Sequence, residues 1–289
     1  LVGRGTRLHG SGGTAFVAPN AFARAGRAVT VTNGVASVTT GNPGVDPERS
    51  FTWDAGVGIE RSRAGVRADV TFFATRVRDR ITSVRASFPS AARPRTAEGV
   101  AIGSVSSNVN AARVEMRGIE WQASWDLGAR MGWRRSLRLF AAGTRILAAE
   151  ETVTSASVDA ARFAGRTDFR PEEVLGALVF GRDTTVRIRN VARATVTGGV
   201  EWDDPRRVSA RLSARYVGER IDQDFRESAR VADVLYPAQL VADFVAGVRV
   251  AAGTEIRLQV SNLTDEHVYE KRGYDLPGRA VRLGVGVEW

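Results

Sequence analysis

The 289-residue sequence has no cysteine, a single lysine and only two histidines. The missing thiols remove disulfide scaffolds, thiolate zinc sites, iron–sulfur clusters and cysteine nucleophiles in one step. Long apolar runs are missing too, and none approaches the roughly 18 residues that a membrane-crossing helix needs. No basic start leads into an apolar core of the kind that marks a secretory leader. Two classes survive: a soluble fold, and a membrane β-structure whose signal lies in alternation rather than in bulk hydropathy. The chain opens on Leu1 rather than methionine, which points to a piece of something longer.

What is present is a core-forming composition with mixed charge. Hydrophobic residues at 43% and aromatics at 8% exclude a disordered tail, and the length suffices for a large core. The 41 basic and 32 acidic residues leave a net charge of +9. A nucleic-acid binder would gather that charge into a stripe or tail. Here arginine is spread along the chain with Asp or Glu nearby, so no nucleic-acid partner is expected.

Alternation then organises most of the sequence. Val281, Leu283, Val285, Val287 and Trp289 share one face against Arg282, Gly284, Gly286 and Glu288. Val208, Ala210, Leu212, Ala214 and Tyr216 oppose Arg207, Ser209, Arg211, Ser213 and Arg215. The same period of two runs through Trp53 to Ile59, Val66 to Ala74, Ile119 to Trp125, Ala192 to Trp202, Leu240 to Val250 and Ile256 to Val260. Noisier candidates lie at 6–16 and 135–147. Period two marks strands with one apolar and one polar face. About ten strands result, with no convincing amphipathic helix.

The clearest rows run nine to thirteen residues. Soluble strands favour about five or six, whereas a tilted transmembrane strand needs about 9–11. The links alternate as well. Short ones fall at 61–63, 128–132, 203–205 and 251–253, and long ones at 79–112, 148–190, 220–237 and 265–278. Outer-membrane barrels alternate short periplasmic turns with long extracellular loops. On that orientation Trp125, Trp133, Trp202 and Trp289 form a periplasmic aromatic girdle, at the level where Trp prefers the lipid boundary. Phe51, Trp53, Tyr216 and Tyr236 belong near the opposite rim. The expected fold class is therefore an all-β, membrane-spanning, antiparallel up-and-down barrel. Its polar faces, too rich in charge for a packed core, line a lumen.

Three stretches carry a resemblance. Asn262-Leu263-Thr264-Asp265 is followed by Tyr269, Gly273-Tyr274, Pro277-Gly278-Arg279 and a last strand ending on an aromatic residue. Asn42-Pro43-Gly44-Val45-Asp46-Pro47-Glu48 precedes the strand that begins Phe51-Thr52-Trp53, and Gly13-Thr14-Ala15-Phe16-Val17-Ala18-Pro19-Asn20 lies upstream. In this order and spacing the chain resembles the TonB-dependent outer-membrane receptors, with Val45 where Leu is usual and Val17 where Arg is usual. The resemblance covers essentially all of 1–289. It implies the C-terminal portion of a 22-stranded barrel, about ten strands of it, with the plug domain and the earlier strands absent.

It further implies an outer-membrane location and active uptake of a scarce small-molecule ligand such as a ferric siderophore. The TonB energising complex would act through the missing plug. Lipid and lipopolysaccharide would surround the wall, and the outer-membrane assembly machinery would read Val281, Leu283, Val285, Val287 and Trp289 as its signal. A passive pore or small complete barrel is the alternative reading, and a soluble β-rich binding protein a further one.

No catalytic constellation emerges, and neither an enzyme activity nor a cofactor is expected. Asp265, Glu266, His267 and Glu270 lack tetrahedral ligand spacing, so no metal site is assigned. Asp203 and Asp204 before Pro205 suit a polar turn. Gly10, Gly12 and Gly13 form no phosphate loop, since no Lys-Ser/Thr follows. Arg207, Arg211 and Arg215 form one basic row and are the ligand-binding candidates. Arg193, Glu201, Asp243 and Arg249 stand across neighbouring strands; the row could attract an anionic ligand such as a ferric siderophore, but salt bridging within the wall or against the missing plug is the preferred reading.

Overall fold

A computed structural model describes residues 5–224 and 233–287; Leu1, Glu288 and Trp289 lie outside the described residues. Ten strands follow one another in a continuous antiparallel wall: β1 (Thr6–Val17), β2 (Glu48–Arg61), β3 (Val66–Ser87), β4 (Ala101–Asp126), β5 (Ser136–Val158), β6 (Ala194–Asp203), β7 (Val208–Val217), β8 (Gln239–Ala251), β9 (Thr254–Ser261) and β10 (Ala280–Val287). Each pairs with its predecessor and its successor in sequence, so the topology is up-and-down, and the wall does not close on itself.

Alternation makes each strand two-faced, and the registers align the like faces. Leu8, Val57, Val70 and Trp121 fall on one row, and Leu139, Val200, Leu212, Phe244, Val260 and Val281 on another. These rows are bare. Leu8, Val70, Leu212 and Leu283 are among many large apolar side chains left exposed. Such a continuous apolar surface on a protein of mixed charge marks contact with lipid rather than water. The short links sit at one edge of the wall. Gly65 turns there at φ 67, where a Cβ would strike the Asp126 carbonyl. The five-residue helix Leu127–Met131 fills the next link, capped by the Asp126 carboxylate, which accepts the Ala129 N–H at 3.0 Å.

The stretch 79–112, expected as a long loop, is largely strand, and 148–190, expected likewise, is strand at both ends with 3-10 turns between. β3, β4 and β5 run 22, 26 and 23 residues, well beyond what a bilayer requires. β3 carries an extra residue between Val77 and Arg80, with Asp79 at φ 57, and β4 a matching irregularity between Asn110 and Ala112. A bulge advances the side-chain parity by one. Above it, Val84 and Ala86 continue the face that the odd-numbered residues of β3 take below.

The extensions are covered by protein. A hairpin of Arg27–Thr32 and Val35–Thr40 lays its second strand parallel to the start of β4. The strand Leu178–Arg187 pairs with the end of β5. Between them Ala36, Val38, Ala86, Phe88, Ile102, Val105, Phe163, Phe169 and Val174 form a buried core. Phe88, Phe163 and Phe169 meet tilted or edge-on, with centroids 5.0–6.5 Å apart.

Candidate functional site: the polar face and its loop-side end

The polar face is a lattice of paired charges. Arg7 and His9 of β1 both reach Asp69 of β3, at 3.2 and 3.0 Å, and Thr71 donates to the same carboxylate. Arg67 pairs with Glu60 at 2.7 Å, and Arg138 with Glu201. Asp69, Thr71, Glu120, Gln122, Thr144 and Thr197 border an open hollow of about 440 Å³. Charged groups at this density are tolerable only where water or polar protein faces them.

Arg211 and Arg215 both lie on this face. Arg211 stands opposite Glu201 and stacks over the Phe140 ring at 4.6 Å. Arg215 stands between Thr197 and Val241. Four strand residues separate the two by roughly 13 Å, so they form a ladder and not one pocket. Arg207 sits in the short turn, its N–H bonded to the Asp204 carbonyl at 3.1 Å. Asp243 follows on the neighbouring strand opposite Ser213, and its carboxylate accepts the Asn262 N–H at 2.9 Å. Arg249 bonds the Pro205 carbonyl, and Arg193 stands 4.0 Å from Glu219.

The tryptophans fall as follows. Trp125 ends near the short-turn edge with Nε1 donating to the Ala64 carbonyl at 3.2 Å, Trp133 occupies the adjoining link, and Trp202 lies under Arg135 at 5.9 Å. Trp289, expected in the same girdle and in the terminal signal, lies outside the described residues. Val281, Leu283, Val285 and Val287 alternate along β10 and are strongly exposed. Tyr236, expected at the outer rim, is instead fully buried. It stacks on Tyr269 at 5.5 Å and donates its hydroxyl to the Gln223 carbonyl at 2.6 Å. Its rim position reflected sequence order alone, whereas the short hairpin of Arg220–Gln223 and Asp233–Tyr236 folds it inward.

Beside it, buried Arg220 ties three loops together. Its guanidinium bonds the Asn190 side chain at 3.1 Å and the carbonyls of Tyr269 and Glu270 at 3.2 and 2.8 Å, over the Tyr236 ring at 5.0 Å. Nothing in the local sequence distinguishes this arginine from the others around it.

The motif residues are brackets. The Asn42 side chain accepts the Gly44 N–H and donates to the Asn108 carbonyl at 2.8 Å, while Glu48 accepts the Ile81 N–H at 2.9 Å. Asn110 closes this knot through Asp46 and Asp79. Asn262, buried at φ 50, accepts the Glu266 N–H and donates to the Glu266 carbonyl at 2.8 Å. Asp265 accepts the Arg279 N–H at 2.8 Å, and His267 faces Asp275 at 3.5 Å. Asp265 is thus turned to Arg279 and Asp275 to His267, and no group of three metal-ligating side chains occurs among the described residues. Asp204 pairs with Arg135 at 2.9 Å in a turn. In the loop-side layer, the Arg166 hydrogen bond holds the Glu173 carboxyl below its usual range.

The family model for the TonB-dependent receptor-like β-barrel matches residues 2–263. The chain belongs to the TonB-dependent receptor β-barrel family. Barrels of this family are outer-membrane proteins, and theirs is a transport-receptor class. No curated protein matches the chain in sequence. The siderophore receptor PirA from Acinetobacter baumannii is similar in structure at TM-score 0.64 and 16% identity, over 99% of this chain and 39% of that one. A variant of the ferric enterobactin receptor PfeA from Pseudomonas aeruginosa, solved with enterobactin, gives 0.64 at 15% identity over 99% and 39%. The FrpB iron transporter from Neisseria meningitidis gives 0.57 at 15% over 99% and 36%. This chain thus spans well under half the length of these receptors and shares their fold.

Proposed function

We propose that the chain is the C-terminal portion of the barrel of an outer-membrane receptor that takes up a scarce ligand, such as a ferric siderophore, at the expense of TonB-transmitted energy. The observation that carries this reading is the two-faced wall: an exposed apolar surface on one side, an ion-paired polar surface on the other, in a member of this family. The plug and the remaining strands would come from sequence outside 1–289, and TonB would engage that plug. The similarity to siderophore receptors supports the ligand class. Arg211 and Arg215 would line the ligand's way through the lumen, next to Glu201 and Asp243. Val281, Leu283, Val285, Val287 and Trp289 would present the terminal strand to the assembly machinery, and the tryptophans at the short-turn edge would lie at the periplasmic lipid boundary.

The test is uptake of radiolabelled ferric siderophores by iron-starved cells expressing the full-length receptor, with and without TonB. TonB-dependent uptake is expected. Steady ion conductance of the reconstituted protein without any energy source, and no uptake, would favour a passive pore.

A further inference from the structure

The outward face changes character along an oblique line. Following it toward the loop side, the first outward arginine is Arg145 on β5, Arg117 on β4, Arg76 on β3 and Arg49 on β2. The pairing registers place Arg145 level with Ile119, Arg117 with Ala74 and Trp53, Arg76 with Phe51, and Arg49 with Arg78. The boundary therefore climbs one outward row per strand, as a level membrane surface does when drawn across tilted strands. Below it on β2 the outward residues are Phe51, Trp53, Ala55, Val57 and Ile59, a band of roughly 26 Å along the strand.

At this line lies a hollow of about 1060 Å³ whose lining includes Arg49, Arg76, Arg78 and Arg117 together with Phe16, Phe51, Trp53 and Leu147. Two carboxylates share it. Glu115 pairs with Arg76 at 2.9 Å, and Glu150 stands opposite Arg187. Arg49, Arg78 and Arg117 are exposed and make no ion pair among the described residues. Three unpaired cations at the edge of an apolar band match an anionic partner that also has an apolar part.

We propose that this hollow binds a lipid of the loop-side leaflet whose headgroup carries more than one phosphate. The phosphates meet Arg49, Arg78 and Arg117, and the acyl chains lie on Phe16, Phe51 and Trp53. The arginines are spread over three adjacent strands, β2 to β4, about 10 Å across, wider than one phosphate. Guanidinium and phosphate match in charge and in bidentate geometry. The proposal rests on the lipid-facing reading of this surface given above, and it is independent of which ligand the receptor transports.

The experiment uses the full-length receptor in detergent, with bound lipid counted by native mass spectrometry. Probes are bisphosphorylated lipid A, monophosphorylated lipid A and inorganic phosphate. The unaltered protein is expected to retain the bisphosphorylated form about tenfold better than the monophosphorylated one. The triple variant Arg49→Ser, Arg78→Ser, Arg117→Ser should lose that preference, while Arg61→Ser at the short-turn end of β2 keeps it. If the triple variant fails to fold, the single variants Arg78→Gln and Arg117→Gln should each lower retention several-fold. Equal retention of both lipids, undiminished retention by the arginine variants, or displacement by inorganic phosphate alone would overturn the proposal. Siderophore uptake by the Arg78→Gln and Arg117→Gln variants separates this result from a failure of the transport reading.

Discussion

β3 and β4 pass through two environments, and the contrast between their lower and upper halves is instructive. Val70 in the lower half is 47% exposed, whereas Val84, fourteen residues along the same strand, is 2% exposed. Both are valines in antiparallel ladders with β4. They lie on opposite faces of the wall: the bulge turns Val84 to the side that the polar residues take below, and there protein covers it. In the lower half the apolar side chains are bare and require lipid. In the upper half, beyond the bulge at Asp79, a hairpin and the 160–177 segment bury them as in a water-soluble domain. One pair of strands thus satisfies two solvents, and the bulge marks where the covering changes.

The sharpest way to break this contrast is in the covered half. Phe169→Ala should remove about 3–5 kcal/mol from the loop-side core. Hydrogen exchange should accelerate across 160–177 and the hairpin, while the heat-modifiable gel migration of the full receptor's barrel stays intact. Loss of barrel migration in this variant would show that the two halves are one cooperative unit.

In the bare half, Leu212→Arg should cost about 2–4 kcal/mol through lipid contact. It should reduce folding into vesicles, while Arg211→Leu on the opposite face is tolerated. Equal damage from the two substitutions would erase the distinction between the faces. Asn262→Ala removes the hydrogen bonds to Glu266 and should cost about 1–3 kcal/mol. Its readout is faster exchange confined to 262–266, with the wall unchanged.

The smallest effect is set by pH. Glu173 is held below its ordinary value of 4.5 chiefly by Arg166. A depressed carboxyl contributes stability that is fully present above the unfolded value and lost as pH falls through the folded one. Exchange protection of 160–177 should therefore decline as pH drops below 4.5, and Glu173→Gln should flatten that dependence.

The lower half was legible in the sequence because lipid demands strict alternation. Val208 to Tyr216 against Ser209 to Arg215 fixes a strand and both of its faces. The upper half was not. The run 101–112 mixes Ser104, Ser107, Asn108 and Asn110 with small apolar residues, because protein rather than lipid lies against it, and the bulges reset the parity. The links keep the expected short–long order, although 79–112 is mostly strand and 148–190 carries strand at both ends. The motif residues Asn42, Glu48, Asn262 and Asp265 were visible, but their work as brackets needed the partners Asn108, Ile81, Glu266 and Arg279. Arg220 and Tyr236 stayed hidden because their burial depends on loops 30 to 50 residues apart in sequence.

The opposite solvents of the two faces of the wall are tested most directly by spin labels at positions 211 and 212 of the bilayer-embedded full receptor. The label at Leu212 should be relaxed by oxygen dissolved in lipid, and the label at Arg211 by a water-soluble nickel chelate. The reverse pattern, with 212 reached from water and 211 from lipid, would contradict the account.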